Sequence, residues 1–280
     1  MIAYPSFDPV ALALGPVKIH WYGLMYLFAF ASAWWLGKRR ASMPHSVIKP
    51  EQVDDLIFYG ALGVVLGGRV GSVLFYNLDS FLRDPVYLFR IWQGGMSFHG
   101  GFLGVLLAME FYRRKIGCRF FEITDFIAPL VPLGLAAGRL GNFINAELWG
   151  APGKVPWAIK LSCEQFPPAR YVDFAGPLCF NPRHPTQLYE MLFEGIILFL
   201  ILWLISAKPR PLMTLSGYFI LLYGIARSGV EFIRLPDAHI GYLMGTDWLT
   251  RGIVLSLPMI IVGVVILIIA SRKSVDATVS

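Results

Sequence analysis

Apolar residues gather along this chain in seven long stretches, about 20–37, 53–76, 97–112, 123–142, 187–206, 212–233 and 251–270. Each is near the roughly twenty residues that a helix needs to cross a hydrocarbon core about 30 Å thick. The pattern predicts an all-α polytopic membrane protein of about seven transmembrane helices, with residues 1–280 as a single membrane domain. Breakers mark two of the stretches. Gly94, Gly95, Gly100, Gly101 and Gly104 crowd the third, and Pro129 and Pro132 interrupt the fourth. Transmembrane helices carry such residues where neighbours satisfy the freed backbone groups.

Two connections are too polar to span. Residues 77–96 form an arm containing Arg83-Asp84-Pro85 and ending in Trp92-Gln93-Gly94-Gly95. Residues 143–186 form a longer, proline-rich head. Basic residues set the orientation, because short cytoplasmic loops carry the excess of Lys and Arg. Four clusters follow alternate spans: Lys38, Arg39, Arg40 and Lys49; Arg113, Arg114, Lys115 and Arg119; Lys208 and Arg210; Arg272 and Lys273. Placing them in the cytoplasm puts the N-terminus outside, the C-terminus inside, and the arm and head on the outer face. The first apolar run has neither a basic leader nor a clear cleavage site, so no cleavable signal peptide is expected.

Composition agrees: 56% of residues are hydrophobic, 15% are charged, and mean hydropathy is +0.60. These values exclude an ordinary soluble globule and a disordered chain. The net charge of +6 does not point to nucleic acid, since half of the 24 bases lie in the four orienting clusters. Cys163 and Cys179 both fall in the head, on the oxidising side. They stand either as a disulfide or as two thiols, because pairing geometry is not encoded in spacing.

Four bases, Arg69, Arg139, Arg227 and Arg234, lie within or at the edge of spans two, four and six. An arginine at mid-membrane costs at least ~2.5–3.5 kcal/mol, so each needs a purpose. Gly68-Arg69-Val70-Gly71, Gly138-Arg139-Leu140-Gly141 and Ala226-Arg227-Ser228-Gly229 share the pattern small–Arg–x–Gly. Their arginines fall about fifteen or sixteen residues into outward-running spans, roughly 23 Å at 1.5 Å per residue. Converging in the outer half of the bilayer, three guanidinium groups would hold a phosphate or carboxylate bidentately. The competing reading pairs each with Glu231, Glu190 or Glu194 as a lock between helices. Tyr223, Arg227 and Glu231 share a face of span six at i, i+4 and i+8, and Asn142 lies one turn beyond Arg139 in a run that continues to Asn145 and Glu147.

His99, at the outer mouth of span three, is a candidate base beside such an anion site. His184 also lies on the outer side, and His20, His45 and His239 are assigned no role. Metal-ligand spacing, a Walker loop and a GxSxG elbow are absent from the sequence, so metal chemistry, nucleotide hydrolysis and serine hydrolysis have no support.

The run Gly138-Arg139-Leu140-Gly141-Asn142-Phe143-Ile144-Asn145-Ala146-Glu147-Leu148-Trp149-Gly150 resembles the signature of the bacterial prolipoprotein diacylglyceryl transferase family. His20–Tyr26, Gly94–Gly101, Arg183–Glu190 and Val230–Asp237 resemble its other motifs, in the family's order, so the similarity extends from about residue 7 to 270. The resemblance implies seven spans with the N-terminus outside the bacterial inner membrane. It also implies transfer of diacylglycerol from phosphatidylglycerol to the lipobox cysteine of a preprolipoprotein, releasing glycerol 1-phosphate, without a cofactor or metal. By resemblance Arg139 binds phosphatidylglycerol, and Tyr22, His99, Asn142, Asn145, Glu147, Gly150, Tyr223, Arg227 and Glu231 match other site positions. Arg69 joins the substrate-binding set on depth and pattern alone. The last span begins Thr250-Arg251-Gly252-Ile253 where the family pattern has a Met-Gly-Gln run, so no polar role passes to Ile253. A transporter or flippase for an anionic lipid or metabolite is the alternative, but its broken helices would place the site at the midplane.

Overall fold

A computed structural model describes residues 1–90, 94–236 and 241–279, with side chains through residue 272. Trp92, Gln93, Asp237, His239 and the Lys273 side chain, named above, lie outside the described residues. All seven apolar stretches are helical. The helices are α1 Trp21–Ala41, α2 Pro50–Tyr76, α3 Leu78–Arg83, α4 Phe98–Ile116, α5 Phe120–Ile127, α6 Val131–Ile144, α7 Thr186–Glu190, α8 Leu198–Ser206, α9 Thr214–Glu231 and α10 Arg251–Val279. The fifth stretch is continuous in path but not in pitch, because a π-helical segment, Met191–Ile197, joins α7 to α8. The fourth is broken at residues 128–130, beside Pro129 and ahead of Pro132, into α5 and α6. Among the described residues, α2, the run Thr186–Ser206 and α10 through Arg272 are each long and apolar enough to cross a membrane, and α5 with α6 makes a fourth if the pair is one span.

Chain packing defines two compact units, Ala33–Ile127 and Met1–Ser32 with Ala128–Ser280. In the first, α2 and α4 pack through glycines. A Cβ at Gly104 would lie 2.1 Å from the Gly63 carbonyl oxygen, and one at Gly67 would lie 2.4 Å from that of Gly100. That contact explains the glycines in the third stretch: small residues let helix backbones touch where lipid supplies no hydrophobic drive. Ser97 caps α4 by accepting from the Gly100 amide, and Gly117 ends it in the left-handed conformation, φ 74°. The bases of the first two clusters meet acids here. Lys38 lies 2.7 Å from Asp54, Lys115 lies 2.8 Å from Asp55, and Arg113 and Arg114 share Glu110.

The second unit holds the head. Strand β1, Ile2–Ala3, pairs in parallel with Ile159–Lys160, and a hairpin, Val10–Leu14 with Val17–His20, leads into α1. Tyr4, Phe143, Trp149, Ile159, Leu161, Leu178 and Cys179 form the head's core. The Tyr4 hydroxyl donates to the carbonyls of Phe143 and Ile144 at 2.8 and 2.9 Å. Burial pushes that phenol up to about 12, so it keeps its proton and remains a donor. Cys163 and Cys179, left open by the sequence, are joined as a disulfide across a separation of 16 residues. The head thus packs directly on the C-terminal end of α6. Elsewhere in this unit α9 packs on α10, and α10 keeps Ile253 and Ser256 buried while Leu255, Leu257 and Ile261 face outward, as a lipid-facing helix requires.

Candidate active site

Helix α6 carries Arg139 and Asn142 and is capped by Asn145, whose amide donates to the Gly141 carbonyl at 3.0 Å. Beyond it the chain turns sharply, with Ala146 and Leu148 at φ 56° and 60°. Non-glycine residues hold this conformation only where surrounding bonds enforce it. Those bonds are present. The Glu147 amide donates to Asn142 O at 2.9 Å, Asn142 Nδ2 to the Glu147 carboxylate at 3.3 Å, and Trp149 Nε1 to Ala146 O at 2.9 Å. Helix α7 supplies the rest: Thr186 donates to Leu148 O at 2.8 Å and Gln187 donates to Glu147 O. Gly150 follows in contact with Thr186 and His184, where a Cβ would sit 2.5 Å from Thr186 Cγ2. The signature's spacing is therefore that of a helix end locked into a fixed turn. Tyr22 packs its ring against Gly141, and a Cβ there would lie 2.9 Å from its Cδ2.

The charged residues of this unit meet in one buried network. Arg227 lies 2.5 Å from Glu190 Oε1 and 2.7 Å from Glu231 Oε2. Arg139 lies 3.2 Å from Glu190 and 3.5 Å from Glu194, and Arg234 lies 3.7 Å from Glu190. Thr250 donates to the other Glu231 oxygen at 2.9 Å. Glu190 and Glu194 are 1% exposed, whereas the Arg139 side chain is 21% exposed. Three guanidinium groups thus face three carboxylates, close to formal neutrality, as buried charges require. The Tyr223 phenol, stacked on Phe219, interacts with the charges of Glu194, Arg139 and Arg227.

The geometry separates the arginines. Arg227 is held by two short ion pairs. Arg139 has only the two longer contacts and is the more exposed. Of the three guanidinium groups Arg139 is the most exposed, while Arg234 makes the single longest contact. Both arginines do have the carboxylate partners that the locking reading offered, so they are locked and, at Arg139, still accessible.

Sequence reasoning grouped Arg69 with Arg139 and Arg227. The third guanidinium of this network belongs to Arg234, and Arg69 is bonded within the other unit, to the carbonyls of Tyr87, Leu88, Gly94 and Gly95. His99 occupies the first turn of α4, exposed, with its ring 5.7 Å from that of Phe98. His184 bonds through Nδ1 to the Tyr189 hydroxyl at 3.0 Å, which also accepts from Trp157 Nε1 at 2.7 Å. Glu190 and Glu194 entered the sequence analysis only as lock partners, and Thr250 and Gly252 carried no signal. Gly252 is required by contact, since a Cβ there would sit 2.3 Å from Glu231 Oε1. Ile253 is buried. Among the described residues no group of histidine, cysteine and carboxylate side chains is arranged for a metal.

Fold and network together define a helical membrane protein built around a buried arginine–carboxylate centre in which Arg139 is the most exposed guanidinium. Comparison narrows this class. The family model for prolipoprotein diacylglyceryl transferases matches residues 9–269, and the chain belongs to that family. It is 52% identical over 273 residues to the phosphatidylglycerol–prolipoprotein diacylglyceryl transferase of Pseudomonas aeruginosa strain LESB58, covering 98% of this chain and 97% of the relative. The protein of the same name from Pseudomonas putida is 53% identical over 267 residues, 95% of each chain. That from Methylococcus capsulatus is 52% identical over 276 residues, 98% of this chain and all of the relative. These relatives favour the transferase over the transporter reading.

Proposed function

We propose that this chain transfers the diacylglyceryl group of phosphatidylglycerol to the lipobox cysteine thiol of a preprolipoprotein. The reaction is a displacement at an sp³ carbon. The cysteine sulfur forms a C–S bond to the terminal glyceryl carbon as that carbon's bond to the phosphate oxygen breaks. The oxygen leaves with the electron pair as glycerol 1-phosphate, and the thiol proton passes to a base. Two demands follow, a cationic hold on the phosphate and a means of making thiolate.

Arg139 meets the first. Its exposure, the greatest of the three guanidinium groups in the network, is the observation that carries this reading, because a phosphodiester needs a guanidinium edge it can reach. Arg227, fixed by Glu190 and Glu231, adds positive potential as charge grows on the leaving oxygen. Asn142, Asn145 and Glu147 lie on the locked turn beside Arg139, and Gly150 keeps that turn against α7. Tyr22, packed on Gly141, and Tyr223, beside the charges of the network, are assigned to lipid binding in the same reading. His99 takes the thiol proton. The reaction needs no cofactor.

Seven spans, an external N-terminus, a cytoplasmic C-terminus and an inner-membrane location belong to the same reading. The seven helical stretches and the positions of the basic clusters support it. It places the site in the outer half of the bilayer, within a single membrane domain whose arm (77–96) and head (143–186) lie outside. Purified Arg139→Ala protein, assayed with phosphatidylglycerol vesicles and a lipobox peptide, tests the assignment. Transfer is expected to disappear while helix content is retained. Full activity would remove Arg139 from the phosphate site.

A further inference from the structure

Arg69 is 3% exposed, yet among the described residues it pairs with no carboxylate. Its guanidinium is instead ringed by backbone carbonyls. Nε donates to Leu88 O at 2.9 Å, Nη1 to Gly94 O at 2.5 Å and to Gly95 O at 3.4 Å, and Nη2 to Tyr87 O. The Tyr87 ring lies against it, 4.7 Å from Cζ. A guanidinium has five N–H donors in a rigid planar fork. Four of the five donors are thus engaged, which leaves one N–H on Nη2 and no two-donor edge for a phosphate. A buried cation without a counter-ion is expensive unless carbonyl dipoles replace its water.

These bonds act on two parts of the chain at once. Tyr87 and Leu88 belong to the 3₁₀ turn Pro85–Phe89 of the arm, and Gly94 and Gly95 precede Ser97 and the first turn of α4. Both glycines adopt φ near +80°, a conformation that points their carbonyls inward. Gly95 sits so close that a Cβ would lie 2.9 Å from Ser72 Oγ and 3.2 Å from Arg69 Nη1. The Ser97 amide continues the attachment to α2 by donating to Gly68 O at 2.9 Å, and its hydroxyl then caps the helix that carries His99.

We infer that Arg69 is a positioning residue, a clamp that fixes the Gly94–Gly95 turn and with it the start of α4 that presents His99. It is not a ligand for the lipid phosphate. The inference rests on the role given to His99 above, but the clamp has its own readout.

The test uses full-length Arg69→Gln and Arg69→Lys protein in detergent, with two measurements on each. Backbone hydrogen exchange across residues 94–101 reports the clamp directly, and steady-state kinetics with phosphatidylglycerol and a lipobox peptide separate kcat from KM. In Arg69→Gln, exchange is expected to rise by about tenfold or more, in line with the loss of hydrogen bonds to a charged group. The turnover number is expected to fall while KM for phosphatidylglycerol holds. Arg69→Lys is expected to recover part of kcat, since an ammonium keeps the charge but lacks the fork. If Arg69→Gln does not fold, Gly95→Ala loosens the same clamp from the other side and should give the same pair of changes. Unchanged exchange in these variants, or a raised KM with kcat intact, would overturn the inference. Faster exchange with unchanged kcat keeps the clamp and removes His99 from the chemistry, so the two failures are distinguishable.

Discussion

Gly252 lies against the carboxylate of Glu231 so closely that a Cβ would stand 2.3 Å from Oε1 and 2.4 Å from Cδ. Alanine there forces the carboxylate away from Arg227 and from the Thr250 hydroxyl. Overpacking of this kind costs ~1–3 kcal/mol of stability, so we expect Gly252→Ala to lower the Tm and, by displacing the Glu231 carboxylate, to lower kcat/KM. Kinetics on the folded variant check this. Wild-type kinetics with an unchanged Tm would mean that Glu231 has room to spare.

Glu190 is the carboxylate that touches Arg139, Arg227 and Arg234. Removing one partner from a buried ion pair costs ~3–5 kcal/mol, because the remaining charges stay buried. Glu190→Gln is therefore expected to lower the thermal midpoint in detergent by several degrees and to weaken transfer. Equal midpoints for variant and parent would show that Glu194 and Glu231 suffice to balance the arginines.

The helices were legible in the sequence, and the reason is physical. A twenty-residue apolar run in a membrane protein has few alternatives to helix, because its amide groups have no water to bond. The signature turn was legible as a motif but not as a shape. Nothing in Asn142–Gly150 announces that Ala146 and Leu148 carry positive φ, since its local bonds are completed by Gln187 and Thr186, some forty residues away. The partners of Arg69 were hidden for a related reason. Depth and a small–Arg–x–Gly pattern place an arginine in the bilayer, but they do not reveal carbonyls waiting for its donors. Glu190 and Gly252 share this limit, one as the centre of a network and the other as the space beside it. The N-terminal hairpin and Tyr4's grip on α6 left no periodic signal at all.

The Cys163–Cys179 bridge closes a short loop over the head's core, with Cys179 fully buried. Chain-entropy arguments assign a loop of this size about 3 kcal/mol. Cys163→Ser with Cys179→Ser is expected to lower the midpoint of the head's unfolding transition, followed by Trp149 and Trp157 fluorescence. A midpoint equal to that of the oxidised parent would show that the core alone holds the head.

Burial holds the His184 imidazole below its ordinary value of 6.5. The folded state thus binds fewer protons than the unfolded state, which titrates at the ordinary value. Its contribution to stability is complete above pH 6.5 and is lost as pH falls through the lower folded value. Because His184 packs over Gly150 and Gly153, acidification should loosen the contact that steadies the signature turn. Unfolding midpoints measured from pH 7.5 to 5 are expected to decline more steeply in the parent than in His184→Asn, at about neutral to mildly acid values. Parallel profiles would remove His184 from this role.

The central claim is that the buried arginine centre supports displacement of a phosphate-bearing leaving group by a cysteine thiol. The most direct measurement follows both products at once. Purified protein is mixed with phosphatidylglycerol vesicles and a lipobox peptide, and free glycerol 1-phosphate and lipidated peptide are counted over time. We expect the two to appear in equal amounts, and to vanish together when the peptide cysteine is replaced by serine or when Arg139 is replaced by alanine. Glycerol phosphate released without thioether, or lipid moved across the bilayer with no product formed, would contradict the account.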